Sequence, residues 1–231
     1  MIDFGFIKER DARAELDKIE AELKQRFSLE TLWRPHQIHS DTIFVDGEGE
    51  GDGIIITKPS IALIRTADCV PVVLFDETAN ITGVFHSGWR GTELKIVSKG
   101  LAKMKELGCK NISAVIFPAI GLCCFEIGEE LLERFADAGI PTEKRGEKYY
   151  ADLKTAIKNE LKNGGVSEIS DQSECTFCGE GYFSYRKNKT EKCGDFHRQR
   201  LQHGRHPGRI EHVDGQLPVQ ESRGRLGSCR A

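Results

Sequence analysis

Between residues 11 and 27 (DARAELDKIEAELKQRF) the apolar side chains Ala12, Leu16, Ile19, Leu23 and Phe27 recur every three or four positions with acids and bases between them. That period predicts one amphipathic helix lying on a flank or as a lid. The pattern then changes to short β-branched runs: TIFV (42–45), GIII (53–56), IALIR (61–65), VPVVLF (70–75) and ITGVFH (81–86), split by Gly, Asp, Asn and Pro. These predict strands of a largely buried sheet. TELKIVSKGLAKMKEL (92–107) returns to helical spacing, with Thr92 as the expected cap and Gly108 as the stop. ISAVIF (112–117) predicts another strand, GEELLERFADAG (128–139) and ADLKTAIKNELKNGG (151–165) two more helices, and YFSY (182–185) a last short strand. With no internal repeat or linker among residues 1–193, the pattern predicts a single domain of α/β or α+β class.

From Gly194 onward the composition shifts. The last 38 residues hold 7 Arg and no Lys, against 9 Arg and 17 Lys before them, and 4 of the 7 histidines. No helix or strand period runs through this stretch, so residues 1–193 are expected to form the catalytic domain. Residues 194–231 are expected to be a disordered tail or a reading-frame artefact. The whole chain of 231 residues carries a net charge of −3, with 30% charged and 39% apolar side chains. That balance gives no general attraction to nucleic acid or anionic lipid. The apolar stretch from Ala114 to Phe125 is too short to cross a bilayer and contains Pro118. The amino terminus has charges where a signal peptide needs an apolar run, so the expected location is the cytoplasm.

In that reducing compartment the eight cysteines are expected to be thiols, metal ligands or a nucleophile. Outside the tail only His36, His39 and His86 remain as imidazoles. His86 ends one strand run, Cys69 immediately precedes another, and His39 lies in the loop-like HQIHSD. The trio His39, Cys69, His86 is too dispersed for a zinc finger, yet it has the ligand count of an open catalytic zinc site whose fourth position is water. A small buried cysteine and satisfied strand-end histidines are the simpler structural alternative. Cys175 and Cys178 make one CxxC without a second CxxC to complete a zinc ribbon; Cys123 and Cys124 are adjacent, and Cys193 stands alone. The glycine-rich run GEGEGDG (47–53) is too acidic to cradle phosphate and is expected to be a solvated turn.

Four motifs in order, TADCVPVVLFD (66–76), FHSGWRGT (85–92), FPAIGLCCFEIG (117–128) and CTFCGEGYFSYRK (175–187), carry a resemblance to the YfiH/YlmD family. Its members are laccase-domain proteins once called multicopper polyphenol oxidases. QIHS (37–40), Asp52 in GDGIIITK, and ADLK followed by GGV extend the match over about residues 34–192. The resemblance implies an α+β fold with mixed β-sheets in a sandwich-like core flanked by helices, in α/β/β/α layers. It implies a purine nucleoside phosphorylase acting on adenosine, inosine and methylthioadenosine, with side activity as an adenosine deaminase. It also implies a metal, usually zinc with copper as the alternative, held by His39, Cys69 and His86. The chain departs from the family in having only some 35 residues before QIHS, and in running into KCGDFHRQRLQ where the family has a final apolar strand. A homo-oligomer is compatible with the sequence.

Other readings of the same residues are limited by arithmetic. A multicopper oxidase needs a blue-copper centre plus a cluster of further imidazoles, more than three core histidines supply. The HxE and PCxxC elements of cytidine deaminases are absent, as is HExxH. For phosphorolysis Arg90 and Arg186 are the phosphate candidates, since guanidinium grips phosphate oxygens in bidentate fashion; ion pairing with Asp68 or Glu126 is the structural alternative. Trp89 or Phe183 would stack on a purine, or simply pack. For deamination a metal would lower the pKa of water toward neutrality, and Asp68 would shuttle protons. Two rival functions remain at this stage: a cysteine hydrolase with Cys69 as nucleophile and His86 as base, and a non-catalytic nucleoside-binding protein.

Overall fold

The computed structural model describes residues 4–5, 16–172 and 174–187. The tail from residue 194 and the first part of the predicted 11–27 helix therefore lie outside the described residues. Helix α1 (Leu16–Phe27) contributes Ile19 to the interior and is tied to the next segment by an ion pair between Glu20 and Arg34 at 2.8 Å. Short strands β1 (Leu32–Trp33), β2 (Ile43–Val45), β3 (Gly53–Ile56) and β4 (Ile61–Ala62) follow. The two longest strands, β5 (Val70–Asp76) and β6 (Ile81–Ser87), come next as an antiparallel hairpin. After them run α2 (Trp89–Glu93), α3 (Ile96–Glu106), β7 (Ser113–Ile116), β8 (Glu126–Ile127), a 3₁₀ turn (Glu129–Leu131) with α4 (Leu132–Asp137), β9 (Thr142–Arg145), β10 (Lys148–Ala151), α5 (Leu153–Asn163) and β11 (Ile169–Asp171).

Six strands form one mixed sheet in the order β11-β7-β5-β6-β3-β2, parallel at its two outer pairs and antiparallel within. A three-stranded antiparallel sheet, β8-β10-β9, and the parallel pair β1-β4 complete the α+β architecture. The central strands are buried on both faces, which is why VPVVLF and ITGVFH read as nearly continuous apolar runs without polar alternation. Phe85 in β6 is fully buried and fits because a glycine faces it on each side. A Cβ on Gly83 would stand 2.6 Å from its ring, and one on Gly100 of α3 only 2.3 Å. These two positions let helix and sheet approach closely around Phe85, fixing the next residue in the chain, His86, at the sheet's other face.

Several elements differ from the sequence expectation. The single helix expected at 92–107 is two helices, because Lys95 adopts a left-handed conformation (φ 64°) between α2 and α3. Lys95 is held there by its ammonium, which donates to Glu160 at 2.9 Å and to the Ala138 carbonyl. Thr92 accordingly lies inside α2 and is no N-cap: its hydroxyl donates to the Gly88 carbonyl and pairs with Ser87. The predicted strand YFSY is absent; residues 182–184 are irregular and 185–187 form a helical turn. The last helix behaves as its sequence suggests, with Asp152 capping it by accepting from the Thr155 amide at 2.9 Å and Gly165 (φ 84°) following its end. Among the described residues no helix is long and apolar enough to cross a membrane.

Candidate functional site

The site is built from three strand ends and the loop between β1 and β2. β3 and β6 pair antiparallel with Gly53 opposite Phe85, so the residues just outside this pairing, Asp52 and His86, become neighbours. The His86 amide donates to the Asp52 carbonyl at 2.8 Å, and the Asp52 carboxylate stands 2.7 Å from His86 Nδ1. Asp52 is fully buried. Its two oxygens also receive the amides of Ile38 (3.3 Å), His39 (3.1 Å) and Ser40 (2.6 Å) and the Ser40 hydroxyl (2.9 Å), which wraps the QIHS loop around one carboxylate. Burial alone would raise the Asp52 pKa, but hydrogen bonds from His86 and Ser40 outweigh it and hold the carboxyl at about 2. The acidic glycine run expected as a solvated turn is therefore inward-facing at its end, because the loop amides and His86 supply the donors that water would otherwise provide.

The wrapped loop puts His39 in a left-handed conformation (φ 60°), and Asp68 (φ 81°) imposes the same kind of bend just before Cys69. The consequence is convergence: ligand atoms of His39, Cys69 and His86 all lie within 4.8 Å of one another. Cys69 Sγ is 3.9 Å from His39 Nε2, and the two imidazoles meet edge to face with centroids 4.9 Å apart. Gly88 leaves room beside the trio, since a Cβ there would stand 2.8 Å from Cys69 Sγ and 3.2 Å from His39 Cδ2. With Asp52 accepting from Nδ1, His86 keeps its Nε2 lone pair for a ligand, the arrangement common to metal-binding histidines. Burial, His86 and Arg90 together lower the His39 pKa despite the opposing pull of Asp52, so its imidazole is neutral near pH 7. Burial, reinforced by Asp68 and Asp52, pushes the Cys69 thiol up to about 12.

The remaining predicted residues divide. Arg90 lies on α2, exposed, with its guanidinium 4.2 Å from the Trp89 ring and close enough to His39 to influence its titration. Asp68 is adjacent to Cys69, and its carboxylate accepts from the Thr176 hydroxyl (2.7 Å) and the Arg186 amide (2.7 Å). Arg186 donates its guanidinium to the Glu126 carbonyl and lies 5.3 Å from the Phe125 ring. The Glu126 carboxylate is engaged by Lys148 at 2.9 Å. Trp89 packs on Phe135 between Arg90 and Arg134, while Phe183 is 39% exposed. His36 joins none of these; its backbone pairs with residues 49–51 in an isolated parallel bridge. The residue whose part in the site the motif reading left unassigned is Asp52. Its signal lay in the sequence as the last acid of a glycine-rich run, immediately before a strand.

Comparison with known proteins agrees with this geometry. The family described as "Multi-copper polyphenol oxidoreductase laccase" matches residues 3–198. A purine nucleoside phosphorylase of Aquifex aeolicus is 32% identical over 169 residues, spanning 71% of this chain and 80% of that protein. One from Clostridium acetobutylicum is 36% identical over 180 residues, spanning 72% and 75%. The crystal structure of YlmD from Geobacillus stearothermophilus superposes with a TM-score of 0.67 at 26% identity, covering 77% of this chain and 76% of that one. YfiH from Bacillus licheniformis gives 0.63 at 26% identity, covering 73% and 74%. A His–Cys–His convergence set on a mixed sheet, a matching family over most of the length and two like-folded crystal structures leave one assignment: the chain belongs to the YfiH-like laccase-domain family.

Proposed function

We propose that the chain is a purine nucleoside phosphorylase, cleaving adenosine, inosine or methylthioadenosine with phosphate to free base and the pentose 1-phosphate, and that the same site deaminates adenosine when it holds a metal. The observation that carries this reading is the convergence of His39, Cys69 and His86 beside an exposed Arg90. Relatives at 32% and 36% identity bear the name purine nucleoside phosphorylase.

The three side chains fit a zinc ion. Two imidazoles, one oriented by a carboxylate, and one thiol are a borderline-soft donor set, three in number, as an open zinc site requires. Zinc bound there would supply a Lewis acid and lower the pKa of water. The chain's own residues do the rest. Arg90 is set to bind phosphate, and Arg186, held at the Glu126 carbonyl and tied through its amide to Asp68 beside Cys69, is a second candidate. Phe183 is exposed and able to stack on a purine, whereas Trp89 already has an arginine on its ring. Asp68 holds the 176 and 186 segments against the Cys69 loop, and as a carboxylate beside the site it is the candidate proton shuttle.

The cysteine-hydrolase reading is disfavoured by the same geometry. A nucleophilic thiol needs a lowered pKa and a base aimed at it. Cys69 is instead pushed up to about 12, because burial and the neighbouring Asp68 and Asp52 carboxylates oppose its ionisation. The test is elemental analysis of wild type and Cys69→Ala, alongside purine release from adenosine and inosine with and without phosphate. Phosphate-dependent release in wild type, lost together with one zinc in Cys69→Ala, is the expected result. Undiminished release by a Cys69→Ala protein lacking that zinc would refute the assignment.

A further inference from the structure

The CxxC that lacks a partner in the sequence has one in the fold. The loop carrying Cys123 and Cys124 and the loop carrying Cys175 and Cys178 lie side by side, joined by the Ala119–Cys175 bridge and by the Thr176 amide donating to the Ala119 carbonyl at 3.1 Å. All four sulfurs lie within 4.8 Å of one another. We propose that Cys123, Cys124, Cys175 and Cys178 form a structural tetrathiolate zinc site, separate from the His39–Cys69–His86 site, that staples the two loops together.

Geometry favours a metal over disulfides. Four sulfurs about 2.3 Å from a central zinc in a tetrahedron stand roughly 3.8 Å apart along each edge. The Cys123 and Cys178 sulfurs are 3.7 Å apart, while a disulfide requires about 2.05 Å. One of the four sulfurs already accepts backbone hydrogen bonds. The Gly121 amide donates to Cys175 Sγ at 3.3 Å, and the backbone amides of Cys178 and Phe177 act on the same sulfur. Gly121 allows this approach: a Cβ there would already stand 3.3 Å from Cys123 Sγ and 3.8 Å from Cys175 Sγ. Four thiolates around a divalent ion leave a net charge of −2, which needs cations nearby. Lys154, 7% exposed, paired with Asp171 at 3.3 Å and hydrogen-bonded to the Gln172 carbonyl, lies in electrostatic reach of Cys175, and Arg145, paired with Glu143, donates to the Cys123 carbonyl at 3.4 Å. Four protein ligands leave no open position, so the site is structural and not catalytic.

What the staple holds is the wall of the other site. The residue after Cys175 is Thr176, whose hydroxyl donates to Asp68, and Asp68 in turn accepts the Arg186 amide and precedes Cys69. Fixing the 175–178 loop therefore fixes the segment that carries Phe183 and Arg186.

The full chain, purified without added metal, is to be compared by elemental analysis with Cys175→Ser/Cys178→Ser and with Cys69→Ala. The double variant is expected to lose one zinc per chain that Cys69→Ala retains, and to melt at lower temperature. The second readout needs no variant: brief native alkylation followed by mass spectrometry. Cys123 and Cys178 are exposed, so as free thiols they react at once; as zinc ligands all four stay protected until a chelator is added. Immediate alkylation of Cys123 and Cys178, a mass lower by paired hydrogens from disulfides, or iron with acid-labile sulfide in place of zinc would each overturn the proposal. Because the two variants remove different ions, failure here is distinguishable from failure of the phosphorylase reading.

Discussion

Asp52→Asn tests the site at its most heavily used side chain. The two residues have the same shape, but the carboxylate receives five donors and an amide offers one acceptor oxygen. If the amide oxygen replaces Oδ2, it keeps Ile38 and Ser40 while its NH₂ group faces the His39 amide and His86 Nδ1. His86 relieves that clash only by moving its proton to Nε2, which removes the lone pair left for a ligand. The opposite orientation sets NH₂ against the Ile38 and Ser40 amides and loosens the loop that carries His39. Leaving two buried donors unpaired costs about 2–4 kcal/mol. The same contacts hold the Asp52 pKa at about 2 against an ordinary 3.8, a shift that corresponds to roughly 2 kcal/mol. At about 2–4 °C per kcal/mol for a domain of this size, the melting temperature should fall by about 4–16 °C. Zinc affinity, measured by competition with a chromophoric chelator on folded protein below the melting range, should drop about 10–100-fold. The sign with pH follows from a folded-state pKa below the ordinary value: the Asp52 contribution is complete above about pH 5 and is lost as pH falls from about 4 toward 2. Wild type and variant should therefore differ in stability by a constant amount at neutral pH and converge in acid. Folded Asp52→Asn with zinc affinity within a factor of three of wild type would refute the orienting role.

Other perturbations separate binding from folding. Arg90→Ala should raise the KM for phosphate about 10–100-fold, the value of a charge-assisted contact, while the melting temperature stays within 2 °C, because the side chain is exposed; an unchanged phosphate KM in steady-state assays removes Arg90 from the anion site. Asp76→Asn should destabilise by about 2–4 kcal/mol in urea titrations with no loss of zinc: its carboxylate caps four backbone amides, those of Thr78, Ala79, Lys110 and Asn111, far from the His–Cys–His trio in the sheet. A change below 0.5 kcal/mol would show that water replaces the carboxylate.

The parts of this molecule legible in the sequence are those where one residue's neighbours along the chain also decide its environment. β5 and β6 were visible as continuous apolar runs because both their faces are buried, and α5 because its buried face imposes a helical period and it carries its own cap in Asp152. β8 and β10 were not, because two- and four-residue strands with mixed burial have no period to detect. The break at Lys95 was hidden for a related reason: Leu94, Val97 and Leu101 keep helical spacing across it, and the left-handed turn is enforced from outside the segment by Glu160 and Ala138. YFSY had strand composition without a strand to pair with, and its backbone is instead held by Asp68 through Thr176 and Arg186.

The same distinction explains the chemistry. His39, Cys69 and His86 were suggested by strand ends and by resemblance, whereas Asp52, which orients His86 and shapes the His39 loop, looked like part of an acidic turn because its five donors come from residues 12–34 positions away. The four-cysteine cluster is the sharper case. A zinc ribbon announces itself by two CxxC hairpins because each hairpin supplies two ligands from one turn. Here one pair is a CxxC and the other a vicinal CC, brought together across more than 50 residues by the Ala119–Cys175 bridge and by the close approach that Gly121 permits. Counting motifs therefore misses the site, since the second half is defined by its position beside β7's exit and not by its own spacing. Since both cysteine-bearing constellations are tied to Asp68 and its neighbours, releasing the Cys175–Cys178 loop should loosen the Arg186 segment before it disturbs His39 or His86, whose carboxylate anchor lies on β3's side of the sheet.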